Sequence, residues 1–584
     1  MSTDQKMDMV TMNIIENTMI SLCREMGITL MKTSYSTIFN EALDFTCGIA
    51  SPQGDMIAVA EFCPAQIGGM PLLIRSCLQE IPLTDIEPGD VLVHNDPYRG
   101  GLHTPEHTLF CPVFFEDELV AFTVAIGHIA EVGGMVPGGF PSEATEIFHE
   151  GIRVPPVKIK KRGEDVEEVW KLWLANVRTP RYNYGDMRAM IAGVELGSRR
   201  LSQIVGKYSL PTFKKTYEDL MDYAELRMRA EIAEIPDGVY DFVDFMDNDG
   251  VSDAEIRIQT KCHVQGERVI VDFTGSSPQV AGPINATLGV SWSATYNAIL
   301  HLTDPSIPRN SGCFRPIKVI APRGTVVNVD FPAPEVGGNT EAHPRITGTV
   351  IGALAKAAPE RGMAAEGGTH LNFVFGGQDK KNNEYFACYD IEVVGWGARP
   401  FGDGNDATDS INGNCRVIPI EVFETRYPWL TEEYTLRNDS GGAGKFRGGL
   451  GTSKTWRCLD AEITCTQLTD RHDNSAWGLE GGQSGLPGET LFKAAGSSSW
   501  QTMVEAFDKR STSKWSNVVV KSGDRLTIRT PGGGGWGSPS ERDDALIIED
   551  LAEQWVSSEK ATQQYAFSSA TRSPSGPPKG EERT

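Results

Sequence analysis

The sequence has no uninterrupted run of about 18 apolar residues, which is the length that a helix needs to cross a bilayer. Its first residues do not form the charged and then apolar pattern of a secretory signal. Acidic residues outnumber basic ones by 78 to 54, and the formal charge of −24 provides no basic excess for nucleic acid or anionic membranes. These absences predict a soluble, cytoplasmic protein that binds neither nucleic acid nor membrane.

The 11 cysteines include no Cys-x-x-Cys pair and no densely spaced set. Small secreted domains stapled by disulfides show the opposite pattern, with many cysteines in a short chain. The sequence therefore predicts reduced and mostly buried thiols in a reducing compartment.

Motifs for nucleotide binding or for a serine nucleophile are also missing. Gly532–Gly537 fits the G-x-G-x-x-G pattern but opens no predicted helix, and Gly444-Lys445 is followed by Phe446 where a P-loop needs Ser or Thr. No G-x-S-x-G elbow occurs. We therefore expect no ATP site in this chain, and we expect its glycines to form positive-φ turns or to let backbones approach closely.

Composition and length predict a large folded protein. Hydrophobic residues make up 40% of the chain and charged residues 23%, as in ordinary globular proteins. The predicted fold class is α+β: a large, β-rich mixed fold with helical N-terminal and middle segments and a disordered C-terminal tail. The predicted regions are an N-terminal α+β metal-site region (1–234), a β-rich and glycine-rich region (235–540), a short helix (541–555) and a disordered tail (556–584).

The helical segments are predicted from apolar spacing. Apolar residues recur every three to four positions from Met9 to Thr37, with an interruption at Gly27. Residues 185–234 have a second helical pattern, which ends at Ile235-Pro-Asp-Gly. Short runs of β-branched residues follow and predict strands.

A β-hairpin is predicted between two histidine motifs. Thr108–Phe115 and Leu119–Ile126 are two apolar arms of equal length, joined by the acidic turn Glu116–Glu118. A hairpin of this kind returns the chain to its starting point, with strands about 5 Å apart. The residues before the first arm, His103 to His107, should therefore lie at the same end of the sheet as His128.

Two imidazoles and a carboxylate at one end of a hairpin suit a divalent ion such as Zn, Mn or Fe(II). Pro105 excludes a helix that would carry His103 and His107 on one face, so the first motif lies on a loop. Spacing alone leaves two interpretations open, since a histidine beside a strand is often a hydrogen-bonded core residue and Glu106 can be a surface carboxylate.

Several motifs together resemble the hydantoinase B family. They include His94-Asn-Asp-Pro-Tyr-Arg-Gly-Gly with the following histidines, and the others are Asp44-Phe-Thr-Cys-Gly-Ile-Ala, Asn176-x-Arg178, Asp272-Phe-Thr-Gly-Ser, Arg437–Arg447 and Pro531–Gly537. These landmarks extend from about residue 8 to about residue 540. The family includes the B halves of ATP-dependent hydantoinases, oxoprolinases and caprolactamases, and subunits of acetone and acetophenone carboxylases.

The resemblance implies a metal ligand set of Asp44, His103, Glu106 and His128. Two departures from the family pattern stand out. The acid is usually Asp where this chain has Glu106, so His107 could take part instead. Many relatives carry His where this chain has Gln66, so the substrate of those relatives is harder to assign to this chain.

The resemblance also implies a function. The chain would be the metal-bearing B subunit of an ATP-dependent cyclic-amide hydrolase, acting on a substrate phosphorylated by a hydantoinase A-like, ATP-binding partner subunit in a hetero-oligomer. The first alternative is a subunit of an ATP-dependent ketone carboxylase. The second alternative is a scaffold subunit of such a complex without catalysis.

Glu131, Arg99 and Arg178 are the predicted catalytic residues. A guanidinium pairs bidentately with a carboxylate or phosphate, and Glu131 can orient an imidazole. Each has a plainer alternative, as a buried ion-pair partner or as a turn residue like Asp96. The loop 133–151 is predicted either to fold over the site or to form a surface connection.

Overall fold

The structure is a computed structural model and describes residues 9–380, 383–459 and 461–567. None of its helices combines the length and the apolar character needed to span a bilayer. The α-helices of the described residues are α1 Met9–Thr33, α2 Thr37–Asn40, α3 Met70–Glu80, α4 Glu167–Leu174, α5 Pro180–Tyr208, α6 Leu210–Ala233, α7 Leu288–His301, α8 Ser311–Phe314, α9 Ala342–Ala355, α10 Ile420–Arg426, α11 Met503–Phe507, α12 Asp544–Ala552 and α13 Ser558–Tyr565.

The first sheet is antiparallel throughout and carries the residues of the predicted site. Its strands are β1 Phe45–Ala50, β2 Met56–Val59, β3 Val91–His94, β4 Glu106–Phe115, β5 Glu118–His128, β6 Val157–Lys161 and β7 Glu164–Asp165. They lie in the order β2-β1-β5-β4-β3-β6-β7. The central pair, β4 and β5, is the predicted hairpin.

Three further sheets follow along the chain. The second contains β8 Gly238–Met246, β9 Ile256–Gln265, β10 Arg268–Asp272 and β11 Ile317–Ile320. The later strands are β12 Asn372–Gln378, β13 Tyr385–Asp390, β14 Trp429–Leu436, β15 Thr452–Cys458, β16 Glu462–Leu468, β17 Glu489–Lys493, β18 Gln501–Thr502, β19 Lys514–Lys521 and β20 Arg525–Arg529. They form two sheets, β13-β12-β16-β19 and β14-β15-β20-β17-β18. Four mainly antiparallel sheets together with many helices confirm the α+β prediction.

One hydrophobic core joins the first two sheets. Helices α1 and α5 pack on the first sheet, while α9 packs on the second. Phe45, Val271 and Val350 belong to the same buried cluster, so the core does not divide at the boundary predicted near residue 234. A second core, rich in aromatic residues such as Trp456 and Trp515, lies between the last two sheets.

The predicted helices are present, with two local differences. Helix α1 runs through Gly27 without a break. A Cβ at this position would lie 2.3 Å from the ring of Phe62, so only glycine leaves room for that ring. The second helical segment begins earlier than predicted and is two helices, α5 and α6, separated at Ser209. This residue has φ of +71° and uses its hydroxyl to cap α6.

Part of the predicted C-terminal tail is helical. Helix α12 lies within the segment predicted as a short helix, and α13 occupies part of the predicted tail. Ala561, Tyr565 and Phe567 are buried against Ile547 and Ala443, and this apolar contact explains why the prediction of disorder from residue 556 was wrong. Residues 568–584 of that tail lie outside the described residues.

The glycine run at 532–535 is packed backbone against backbone. The N–H of Gly533 donates to the carbonyl of Gly449 at 3.0 Å, and the N–H of Gly534 donates to that of Ala365 at 2.8 Å. A Cβ on Gly533 would lie 2.0 Å from the carbonyl oxygen of Trp396. The run is therefore structural, as predicted, and close approach is its reason.

We expect Gly533→Ala to lower the free energy of unfolding by about 3 kcal/mol or more, because the added methyl group clashes with rigid backbone. Gly402→Ala is the matched control, since a Cβ there meets nothing within 4 Å. Thermal denaturation of both variants checks this. A Gly533→Ala protein as stable as the control would contradict the packing.

Candidate metal centre

The strand register brings three of the predicted ligands into one row. In the β4–β5 pair, Glu106 lies directly opposite His128, and residues paired in this way project from the same face of the sheet. Strand β1 lies on the other side of β5, and the N–H of His128 donates to the carbonyl of Asp44 at 3.1 Å. Asp44, His128 and Glu106 thus come from three adjacent segments of one sheet.

His103 joins the row from the loop before β4. Its carbonyl accepts a hydrogen bond from the N–H of Glu106 at 3.0 Å, which folds the loop back onto the strand. Its Nδ1 lies 3.0 Å from the carbonyl of Val336, so Nδ1 carries the proton and Nε2 keeps its lone pair. That Nε2 lies 3.6 Å from the Glu106 carboxylate.

The structure thus gathers the four predicted ligands into one buried cluster. Nδ1 of His128 lies 3.8 Å from Oδ2 of Asp44, and the rings of His103 and His128 have their centroids 5.0 Å apart. All four side chains are buried, with residue exposures of 7% or less. The side chains form two pairs, His103 with Glu106 and His128 with Asp44.

Gln66 links the two pairs. It ends the short 3₁₀ turn Pro64–Gln66, and its Nε2 donates to Asp44 at 3.3 Å and to Glu106 at 3.0 Å. Asn339 donates a further hydrogen bond to Glu106 at 3.1 Å. The carboxamide at this departure from the family pattern therefore lies between two carboxylates that would otherwise repel each other.

Several buried polar atoms in the cluster have no hydrogen-bond partner among the described residues: His103 Nε2, His128 Nε2, Glu106 Oε2 and Gln66 Oε1. Each unpaired group of this kind costs about 1–3 kcal/mol. Imidazole nitrogens and carboxylate oxygens can both donate lone pairs to a metal, and together they are a set that binds Zn, Mn or Fe(II). The donor types of the cluster therefore suit a divalent ion.

The electrostatics of the cluster agree with this fit. Burial, together with the nearby Glu106 carboxylate, raises the pKa of Asp44 to about 7. Burial also lowers the pKa of His128 well below its usual range, with His103 adding to the effect, so this imidazole is neutral. A neutral imidazole and a carboxylate that resists ionisation without a counter-charge are both suited to a cation.

The loop 133–151 covers the cluster. Of its two predicted interpretations, the structure therefore shows the loop folded over the site and not the plain surface connection. Phe140 is buried, and its ring stacks on His128 with centroids 5.4 Å apart and an interplanar angle of 5°. The ring of Tyr389, from the third sheet, has its centroid 4.4 Å from that of the same imidazole. Two aromatic rings therefore shield His128 from water.

His107 lies on the other face of the sheet from Glu106, because successive strand residues alternate. Its Nδ1 lies 3.1 Å from the carbonyl of Pro105, and its ring stacks on Trp173 with centroids 4.9 Å apart. Among the described residues, no hydrogen bond, ion pair or ring contact joins the side chain of His107 to those of the four ligands. His107 is a buried core histidine here, so Glu106 is the acid in the cluster.

A profile of the hydantoinase B/oxoprolinase family matches residues 8–539. The chain belongs to this family. It is 31% identical to the caprolactamase subunit beta of Pseudomonas jessenii, and the match covers 96% of both chains. It is 30% identical to 5-oxoprolinase 1 of Arabidopsis thaliana over 91% of this chain, but only 42% of the plant protein is covered.

Solved structures agree with the assignment to the hydantoinase B family. The crystal structure of the ATP-dependent caprolactamase from Pseudomonas jessenii has a TM-score of 0.89 and 29% identity, covering 97% of this chain and 98% of that one. A nucleotide-free acetone carboxylase has a TM-score of 0.85 at 18% identity, covering 95% and 79%, which shows a shared fold alone. The resemblance deduced from the motifs is confirmed.

In this hydantoinase B member, the predicted catalytic residues form ion pairs with carboxylates outside the set of four ligands. Arg178 lies 3.3 Å from both carboxylate oxygens of Glu131, and it donates to the carbonyl of Gly134 at 2.7 Å. Arg99 is partly exposed and pairs with Glu80 and Asp96. Among the described residues, no hydrogen bond or ion pair joins these three side chains to the four ligands, and their catalytic role stays a prediction.

Two polar residues near the cluster, His370 and Asp409, are marked by no motif in the sequence. His370 lies 3.3 Å from Asp409, and although burial opposes its charged form, the carboxylates of Asp409, Glu341 and Asp44 raise its pKa to about 9. A buried imidazolium therefore lies near Asp44. Both residues come from loops more than 200 residues beyond the hairpin, so no motif spacing could have revealed them.

We expect divalent-ion binding to weaken about tenfold between pH 8 and pH 6, because the Asp44 carboxyl, with its pKa of about 7, must lose a proton before it can bind. His128 is neutral at both pH values and adds nothing. Calorimetric titration with Zn²⁺ or Mn²⁺ measures the change. Asp44→Asn should bind more weakly with a flatter pH profile, and an unchanged slope would contradict the assignment.

Gln66→Glu should make the metal-free protein less stable by about 3 kcal/mol at neutral pH, since a third buried carboxylate would meet Asp44 and Glu106. A divalent ion should restore most of the loss. The exposed Gln53→Glu is the control and should change nothing. Thermal denaturation with and without metal tests this, and equal metal-induced shifts in wild type and Gln66→Glu would refute it.

Proposed function

We propose that this chain is the metal-bearing B subunit of an ATP-dependent cyclic-amide hydrolase of the hydantoinase, oxoprolinase or lactamase type. The observation that carries the proposal is the buried cluster of Asp44, His103, Glu106 and His128, with its unpaired lone-pair donors. The cluster occurs in a chain that matches a caprolactamase subunit over nearly its full length.

The proposal includes a partner that binds ATP. The sequence contains no P-loop and no dinucleotide-binding glycine motif in a suitable context. The chain covers only 42% of the Arabidopsis 5-oxoprolinase, so more than half of that enzyme has no counterpart here. Both observations support a separate hydantoinase A-like subunit that supplies the ATP chemistry in a hetero-oligomer.

The chemistry of an amide explains the need for ATP. A ring amide resists hydrolysis because resonance makes its carbonyl carbon a poor electrophile. Phosphorylation of the amide oxygen by the partner, with release of ADP, removes this resonance. Water can then add to the carbon, and cleavage of the C–N bond with proton transfer to the nitrogen gives an acyl phosphate, whose hydrolysis releases the carboxylate and phosphate. A divalent ion held by Asp44, His103, Glu106 and His128 would supply a water of lowered pKa or polarise the bond at the carbon that is attacked.

The residues of this chain prepare the site in three ways. Val336 fixes the tautomer of His103, so that Nε2 presents its lone pair. Gln66 and Asn339 hold the Glu106 carboxylate in place with two hydrogen bonds. Phe140 stacks on His128 and excludes bulk water, which strengthens the electrostatic interactions inside.

We assign Arg178 and Glu131 a positioning role in this proposal. Their ion pair lies at the base of the loop 133–151, and Arg178 also donates to the carbonyls of Gly134 and Val136. The same loop carries Phe140 onto His128. The pair therefore fixes the cover of the site, and Arg99 is left as a candidate for contact with an anionic group at the surface.

Reconstitution with the partner A subunit tests the proposed reaction. With ATP, we expect hydrolysis of a hydantoin or lactam coupled to ADP formation, and loss of at least 100-fold in His103→Ala and His128→Ala, a size typical for loss of a catalytic metal. His263→Ala, at a half-buried histidine of β9 in the second sheet, is the control and should keep full activity.

The same assay distinguishes the hydrolase from the ketone carboxylase. ATP-dependent fixation of bicarbonate onto a ketone, without amide hydrolysis, would replace the hydrolase with the carboxylase. Elemental analysis of the purified complex decides the metal: protein without stoichiometric divalent ion, and fully active after chelation, would overturn the metal-centred mechanism.

A further inference from the structure

A second set of metal-ligating atoms lies against the cluster. Cys63 comes just before the Pro64–Gln66 turn, and Cys415 comes from a loop far along the chain. Their sulfur atoms and a carboxylate oxygen of Asp44 lie within 4.8 Å of one another. Asp44 and Cys63 are buried, and Cys415 is partly buried. Neither cysteine takes part in the mechanism proposed above.

We propose that Asp44, Cys63 and Cys415 bind a second divalent ion of thiophilic character, with zinc as the fitting example. Zinc with two thiolates at about 2.3 Å in tetrahedral geometry requires a sulfur–sulfur distance of about 3.8 Å. The observed atoms need to approach by about 1 Å at most, which side-chain rotation supplies. The ion would be distinct from the one held by His103, Glu106 and His128.

The backbone already holds both cysteines in place. The N–H of Cys63 donates to the carbonyl of Phe45 at 3.2 Å, which ties it to β1 next to Asp44. The N–H of Cys415 donates to Asp409 at 2.7 Å, and Asp409 also lies 3.3 Å from His370. Two segments distant in sequence are thus fixed with their thiols facing one carboxylate.

The fourth coordination position would be open. Cys415 and Asp409 line a cavity of about 460 Å³, with Trp396 and Tyr296 among its other walls. Three protein ligands with one free position is the pattern of zinc sites that bind water or substrate, whereas structural zinc sites are closed by four protein ligands. The cavity would give a small molecule access to this ion.

Asp44 can serve both ions because a carboxylate has two oxygens. Carboxylates bridge the ions of two-metal sites, which lie about 3.5–4 Å apart. A disulfide between Cys63 and Cys415 is the competing explanation of the close thiols. The ion is favoured because the third member of the set is a carboxylate, which contributes to cation binding and has no part in a disulfide.

Cobalt titration of the metal-free protein under reducing, anaerobic conditions tests the proposal. Thiolate coordination gives a near-ultraviolet charge-transfer band, which imidazole and carboxylate ligands do not give. We expect the band to saturate at one equivalent and total binding to reach two. Cys63→Ser with Cys415→Ser should abolish the band and keep one bound ion, whereas Cys262→Ser, at a buried cysteine of β9, should keep both.

His103→Ala with His128→Ala separates this proposal from the proposed function. That variant should lose the first ion and keep the band. Absence of the band in wild type, its persistence in the Cys63/Cys415 variant, or a Cys63–Cys415 disulfide found in protein purified under reducing conditions would each overturn the proposal. If the serine variants do not fold, ¹¹³Cd resonances of wild type decide instead: two signals, one of them thiolate-ligated, are expected, and one signal overturns it.

Discussion

The register of β4 against β5 is the constraint on which the candidate site depends. It sets Glu106 opposite His128, and the pairing of β5 with the segment before β1 adds Asp44 to the same row. A slip by one residue would turn Glu106 to the opposite face, where His107 now packs on Trp173. The many buried apolar pairs along both strands hold the register and therefore hold the site.

The two buried carboxyl groups of the cluster are only partly compensated by the polar and charged groups around them. Asp44 and Glu106 are both buried, and the amide of Gln66 and the imidazolium of His370 offset them only in part. This balance explains why burial leaves Asp44 reluctant to ionise and why lone pairs remain unpaired. In the proposed function, protein stability and cation binding would be linked through the same few side chains.

Local patterns predicted the hairpin, the helical segments and the meeting of the His103–His107 segment with His128, because each depends on spacing within about 25 residues. Asp44 and the full set of four came from the family resemblance. Gln66 was noticed as a departure, but its link between two carboxylates depends on tertiary placement. His370 and Asn339 arrive from distant loops and left no local signal. The docking of α13 on Ala443 was likewise decided by contacts remote in sequence. The helix break at Ser209 is local, since its side chain caps α6 and Pro211 lies in the first turn of that helix.

The glycine run at 532–535 has a consequence for how the chain is made. Its backbone N–H groups donate to the carbonyls of Leu486, Gly449, Ala365 and Gln483. These carbonyls belong to segments that are synthesised earlier, and they gain their hydrogen-bond donors only when the glycine run is available. Synthesis on the ribosome proceeds from the N-terminus, and the first sheet can form long before residue 535 emerges. The second half of the molecule therefore closes only after residue 535 has emerged, when the strands before it and this run become available together.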